Sequence, residues 1–134
     1  MVGLDYSPEC ESALLYAFEQ AKLRGATLRV IHAWQLPGNA YAPGVVYDAD
    51  EVGAALKTAA EAMLARFRRD YPSLNVVEDV LYAHSVDALT DASAKADLMV
   101  VGSRGRGSIR SALLGSVSHG VLHHAHSAVA VIRA

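Results

Sequence analysis

The residues with chemistry to offer lie in Gly102-Ser103-Arg104-Gly105-Arg106-Gly107 and, further on, Gly115-Ser116. Glycines at 102, 105 and 107 permit φ > 0 and let a ligand approach the backbone with no Cβ in the way. Successive N–H groups in such a loop form a concave nest that suits an anion. Gly115-Ser116 then opens a segment of helical spacing, with Val117, Val121, Leu122 and Ala125 as its apolar positions. The first N–H groups of a helix and its dipole favour phosphate. Two roles are open to Ser116, as N-cap or as hydroxyl donor to a phosphate oxygen. The guanidinium groups of Arg104, Arg106 and Arg110 match phosphate geometry and equally suit a solvated loop. A Walker A loop is excluded because no lysine follows the last glycine, and the dinucleotide Gly-x-Gly-x-x-Gly fails at Arg110.

Such a loop needs a strand before it and a helix after it, and the chain supplies both. Leu98 to Val101 is a short apolar run of the kind buried in a parallel sheet. Upstream, Met1 to Asp5 reads as the end of a first strand that starts abruptly, as at a boundary or a late start site. Ser7 is placed as N-cap with Pro8 at the first helical position, Leu14, Ala17, Phe18 and Ala21 form the buried stripe, and Gly25 stops the helix. A second strand is predicted over Thr27 to Ala33, and a loop from Gln35 to Asp48 carries Tyr41 and Tyr47. A loop of that length in a compact domain suggests a lid or binding segment. The second helix is predicted from Asp50 to Asp70, with Val52, Leu56, Ala59, Met63 and Phe67 on its buried face. Asn75 to Leu81 is the third strand, Ser85 caps a third helix through Leu89, Ala92 and Ala96, and Ala128 to Ile132 is the fifth strand. Strict alternation of strand and helix predicts an α/β fold, an open parallel five-stranded sheet with helices on both faces. In such sheets a ligand lies beyond the carboxyl ends of the strands, where strand order reverses.

The chain's 134 residues suit a single domain over 1–134, burying roughly two-thirds of its unfolded surface. Hydrophobic content of 52% with 19% charged residues excludes a disordered chain. A formal charge of −2 gives nucleic-acid binding no support, and the apolar runs are too short for a membrane span. One cysteine, Cys10, permits no intrachain disulfide, consistent with a reducing cytoplasm. It falls on a helical apolar face, the place of a small core residue.

The spacing Gly102, two residues, Gly105, nine residues, Gly115-Ser116 resembles the nucleotide-binding signature of the universal stress protein family. Val2-Gly3-Leu4-Asp5-Tyr6-Ser7-Pro8 is similar to that family's opening, and Val30-Ile31-His32-Ala33-Trp34 to its second strand. The resemblance implies a Rossmann-like sheet of the adenine nucleotide alpha hydrolase type, in strand order 3-2-1-4-5. It also implies that ATP, or AMP or ADP, is bound, with Gly3, Leu4, Ala33 and Val101 lining adenine and ribose. Gly102, Gly105, Gly115, Ser116 and Val117 would hold the phosphates through backbone N–H groups and the Ser116 hydroxyl, and Arg104 would stand beside them. Asp5 would face the ribose hydroxyls or a magnesium ion; a turn residue capping the first helix is its other reading. A homodimer joined through Ala128 to Ile132 is implied as well. The sequence departs from the family pattern at Tyr6, where a glycine is usual, at Ala83 and Ser85, and at Ala128.

Three readings follow: a cytoplasmic nucleotide-binding sensor or regulator in the response to stress, a slow ATPase or nucleotide-dependent enzyme, and a purely structural dimer whose ligand site is vestigial. Hydrolysis needs a group that orients water, and only Asp5 and His32 stand near the crevice. With phosphates held by neutral N–H donors, hydrolysis is expected to be very slow at most. His119, His123 and His126 share a face only if their helix extends that far, and His126 is expected beyond its end.

Overall fold

The computed structural model describes residues 1–35, 48–104 and 114–134. The 35–48 loop with Tyr41 and Tyr47, and the positions Gly105, Arg106, Gly107 and Arg110, lie largely or wholly outside the described residues.

Strand and helix alternate as β1 (Val2–Gly3), α1 (Cys10–Arg24), β2 (Leu28–Trp34), α2 (Ala49–Asp70), β3 (Val76–Tyr82), α3 (Ser85–Ser93), β4 (Leu98–Gly102), α4 (Ser116–His124) and β5 (Ala128–Ile132). All pairings are parallel and the strand order is β3-β2-β1-β4-β5. β1 is only two residues long, yet it is the central strand, joining Val2 to Val30 on one side and to Val100 on the other. β5 spans the predicted residues and is an edge, paired to β4 from Leu98↔Ala128 to Gly102↔Ile132.

Side chains alternate across the pleat and so build two cores. Val2, Leu28, Val30 and Val100 pack with Leu14 and Phe18 of α1 and Leu64 and Phe67 of α2. Ile31, Met99 and Val101 point the other way and pack with Leu89 of α3 and Val121 of α4. Helices therefore cover both faces, which explains the uninterrupted apolar runs of β2 and β4.

Several local expectations are corrected. Pro8 and Glu9 form a turn and α1 starts at Cys10, although the Ser7 hydroxyl still accepts from the Cys10 N–H at 3.2 Å. The buried stripe of α2 is Ala60, Leu64 and Phe67, flanked by Val52, Leu56 and Met63; Ala59 is exposed. α2 is capped by Asp48, whose carboxylate accepts from the N–H groups of Asp50 and Glu51. Ser85 is the first residue of α3 rather than its cap and donates to the Ala33 carbonyl at 3.4 Å. α3 ends at Ser93, short of Ala96. Leu122 is 49% exposed, because α4 buries only the face that meets β5 and α3.

α3 and α4 approach closely because Gly120 has no side chain: a Cβ there would stand 2.8 Å from Val86 Cγ1. Gly120→Ala should lower stability by about 1–3 kcal/mol in urea titration, as overpacking does. Val86→Ala in the same chain should recover most of that loss; additive losses in the double variant would contradict the contact.

Candidate functional site

The carboxyl ends of β1, β2 and β4 open into a cleft of about 450 Å³. β1 and β4 are neighbours from which the chain departs in opposite directions along the sheet, so the cleft sits at the reversal of strand order. β1 and the residues after it supply Gly3, Leu4, Asp5 and Tyr6, and β2 supplies Ile31, His32, Ala33 and Trp34. β4 and its exit give Val101, Gly102 and Arg104, and the start of α4 gives Gly115, Ser116, Val117 and Ser118. Every described residue named from the sequence for the site thus lines this one cleft. Four side walls had no signal in the sequence: Val52 and Leu56 of α2, and Ser85 and Leu89 of α3.

The cleft has an apolar half and a polar half. Leu4, Ile31, Ala33, Val101 and Leu89 form a surface on which a flat aromatic group can lie. The polar half is built where β4 hands over to α4. Ser103 donates its N–H to the Ile132 carbonyl at 2.8 Å, and its own carbonyl accepts from the Gly115 N–H at 2.6 Å. Ser118, buried among these groups, places its hydroxyl 3.0 Å from the carbonyls of both Ser103 and Gly115. Gly115 is the N-cap of α4, with φ −68° and ψ 166° and no side chain to accept from the helix. The leading N–H groups of α4, from Ser116 on, therefore face the cleft with the positive end of the helix.

Three expectations about this half are revised. The Gly115 N–H is bonded to the Ser103 carbonyl, so it is not available as a donor in the way the sequence suggested. Ser116 is the first helical residue, exposed, and its N-cap role passes to Gly115. Gly102 lies in β4 without a positive φ; a Cβ there would come within a tight 3.3 Å of the Arg104 carbonyl. Arg104 is exposed at the lip of the cleft.

Asp5 fills the turn role suggested for it and still lines the cleft. Its Oδ1 accepts from the Ser7 N–H at 2.9 Å and the Ser7 hydroxyl at 2.6 Å, an Asx turn that starts α1. His32 is a buried histidine whose Nδ1 lies 2.6 Å from the Leu4 carbonyl; a carbonyl only accepts, so Nδ1 carries hydrogen. Tyr6 holds φ +61°, a conformation that fits the glycine usual in the family and strains a residue with a Cβ. It is kept there by its hydroxyl, which donates to the Leu56 carbonyl at 2.7 Å, and by edge contact with the His32 ring at 4.5 Å. Tyr6 thereby fastens α2 to the mouth of the cleft.

The histidines of α4 stand apart. The rings of His119 and His123 are 4.4 Å apart on the exposed face, α4 ends at His124, and the His126 N–H donates to Ser93 Oγ. No three candidate metal ligands cluster among the described residues. Among them, no helix is long and apolar enough to cross a membrane.

Compared with known proteins, residues 1–133 match the model of the universal stress protein family. The chain belongs to the universal stress protein family. A universal stress protein of Mycobacterium tuberculosis is 40% identical over 133 residues, covering 99% of this chain and 44% of that protein. The chain thus spans less than half the length of the curated relatives it matches. Among solved structures, a universal stress protein in complex with cAMP is 28% identical, with a TM-score of 0.67 and coverage of 98% and 93% of the two chains. The universal stress protein of Archaeoglobus fulgidus in complex with dAMP is 27% identical, with a TM-score of 0.66 and coverage of 98% and 94%.

Two groups at the cleft give the family fold here a particular alkaline limit. Burial pushes the Cys10 thiol from 9.0 up to about 12, so the folded state holds this proton more tightly than the unfolded chain. Burial likewise pushes the Tyr6 phenol from 10.0 to about 12, with Glu78 adding to the effect. Both contributions are complete below the unfolded values and are lost as pH rises toward 12. Urea midpoints should therefore fall from about pH 9 upward. Cys10→Ala should remove the part that begins near 9, and Tyr6→Phe the part that begins near 10. Midpoints that stay level through pH 11 would contradict this.

Proposed function

We propose that this protein binds an adenine nucleotide (ATP, or AMP or ADP) in the cleft and acts as a cytoplasmic sensor or regulator in the response to stress. The observation that carries the reading is the pairing, within one cleft, of an apolar surface with the uncapped N-terminus of α4. Adenine and ribose would lie against Gly3, Leu4, Ala33 and Val101, and phosphates at Ser116 and Val117 with Arg104 beside them. Gly102 would give the phosphates room, and Gly115 would orient α4. Gly105 belongs to the same signature, although it lies outside the described residues. Two relatives above 25% identity were solved in complex with adenine nucleotides, cAMP and dAMP, which supports the same ligand class here.

A magnesium ion fits the donor set. Asp5 is the only carboxylate lining the cleft among the described residues. One carboxylate together with phosphate oxygens and water is a usual magnesium environment. The Asp5 carboxylate would hold the ion, which would neutralise phosphate charge.

Hydrolysis is expected to be very slow. N–H donors that bind substrate and transition state alike do not speed chemistry, and the cleft offers no lysine among the described residues. Multiple-turnover phosphate release near the median enzyme rate of about 10 per second would place the protein among ATPases instead. The edge strand β5 is proposed to pair with a second copy, since an uncovered apolar edge invites another strand. Sedimentation should find a dimer at tens of micromolar.

Calorimetry should give ATP a Kd in the micromolar range, equivalent to about −8 kcal/mol. Asp5→Asn keeps an oxygen for the Asx turn and removes the charge. It should weaken binding in magnesium and leave binding in EDTA nearly unchanged. No heat and no displacement with ATP, ADP or AMP would refute the reading.

A further inference from the structure

We propose that Ser118 is a positioning residue that fixes the start of α4 while leaving its N–H groups to the ligand, a role that rests on the nucleotide reading above. An ordinary N-cap side chain accepts from the second or third N–H of its helix. α2 of this chain is capped in that way: Asp48 accepts from Asp50 and Glu51, and those donors are occupied. α4 is held differently. Its N-cap is a glycine with no side-chain bond. The fastening comes from its third residue, Ser118, which is 2% exposed and directs its hydroxyl back to carbonyl oxygens.

Those carbonyls belong to Ser103 and Gly115, each 3.0 Å from the hydroxyl. A hydroxyl carries one hydrogen, so it serves either acceptor and bridges the exit of β4 to the first turn of α4. The Ser103 carbonyl also takes the Gly115 N–H, and the Gly115 carbonyl takes the His119 N–H. Neither carbonyl is orphaned when the hydroxyl is removed, which makes Ser118→Ala a mild change for the fold. The Ser118 contacts use carbonyl acceptors only. The donors of Ser116 and Val117 therefore stay aimed at the cleft, in a place fixed relative to Gly102 and Arg104.

The test separates phosphate from base. Ser118→Ala should weaken ATP and AMP about three- to tenfold, the range of one hydrogen bond. Adenosine, which meets only the apolar half, should keep its affinity within about twofold, below what one such bond is worth. A role in general stability would reduce all three ligands together. Gly115→Ser provides a second arm that does not depend on the first variant folding. Its φ of −68° is open to a residue with a Cβ, and the oxygen of a serine there would compete with the ligand for the second or third N–H of the helix, that of Val117 or Ser118. ATP should then bind more weakly and adenosine as before. Unchanged ATP affinity in Ser118→Ala, or equal loss for adenosine, overturns the role of Ser118 alone. A parent protein that binds ATP no better than adenosine overturns the phosphate site and this role together.

Discussion

The site depends on the hydrogen bonds of one backbone unit, that of Ser103. Its N–H is bonded to Ile132 at the end of β5, and its carbonyl to the N–H of Gly115 at the start of α4. A chain leaving a parallel strand must return along the face of the sheet to form the next helix. Here that carbonyl joins the exit of β4 directly to the start of α4. This bond sets the N-terminus of α4 at the carboxyl edge of the sheet, beside β1. The edge strand and the helix terminus are thereby held by the same residue.

The rest of the cleft follows from packing on the two faces. Gly3 has no Cβ because one would stand 2.9 Å from Leu89 Cδ1, and Gly120 lets α4 settle against Val86. These close approaches draw α3 and α4 toward the sheet and shape the apolar half of the site. On the other face, Tyr6 accepts an unfavourable backbone conformation in exchange for its bond to Leu56 and its contact with His32. A glycine would sit there without strain and without that tie to α2. The departure from the family pattern at position 6 is thus a link between helix and cleft.

Much of this was legible in the sequence because it arises from local pattern. Apolar runs gave β4 and β5, alternation gave a sheet covered on both faces, and the spacing of Gly102 and Gly115-Ser116 indicated the cleft. Gly25 at φ +60° ends α1 as its position implied. What could not be read depends on partners distant in sequence. The bond from the Gly115 N–H to Ser103, the hydroxyl of Ser118 and the walls from α2 and α3 appear only when separate elements meet. The buried stripe of α2 shifted from Ala59 to Ala60 because β3 and α1, rather than helical period alone, select the covered face. Ser85 looked like a cap by residue type, but the Ala33 carbonyl lies nearer to hand for its hydroxyl.

The central claim is that phosphate meets the first N–H groups of α4. Backbone amide chemical shifts recorded with AMP and with adenosine measure this directly. The amides of Ser116 and Val117 should move with AMP and stay in place with adenosine, while those of Leu4 and Ala33 move with both. Shifts at Ser116 and Val117 that are the same for the two ligands, or absent with AMP, would contradict it.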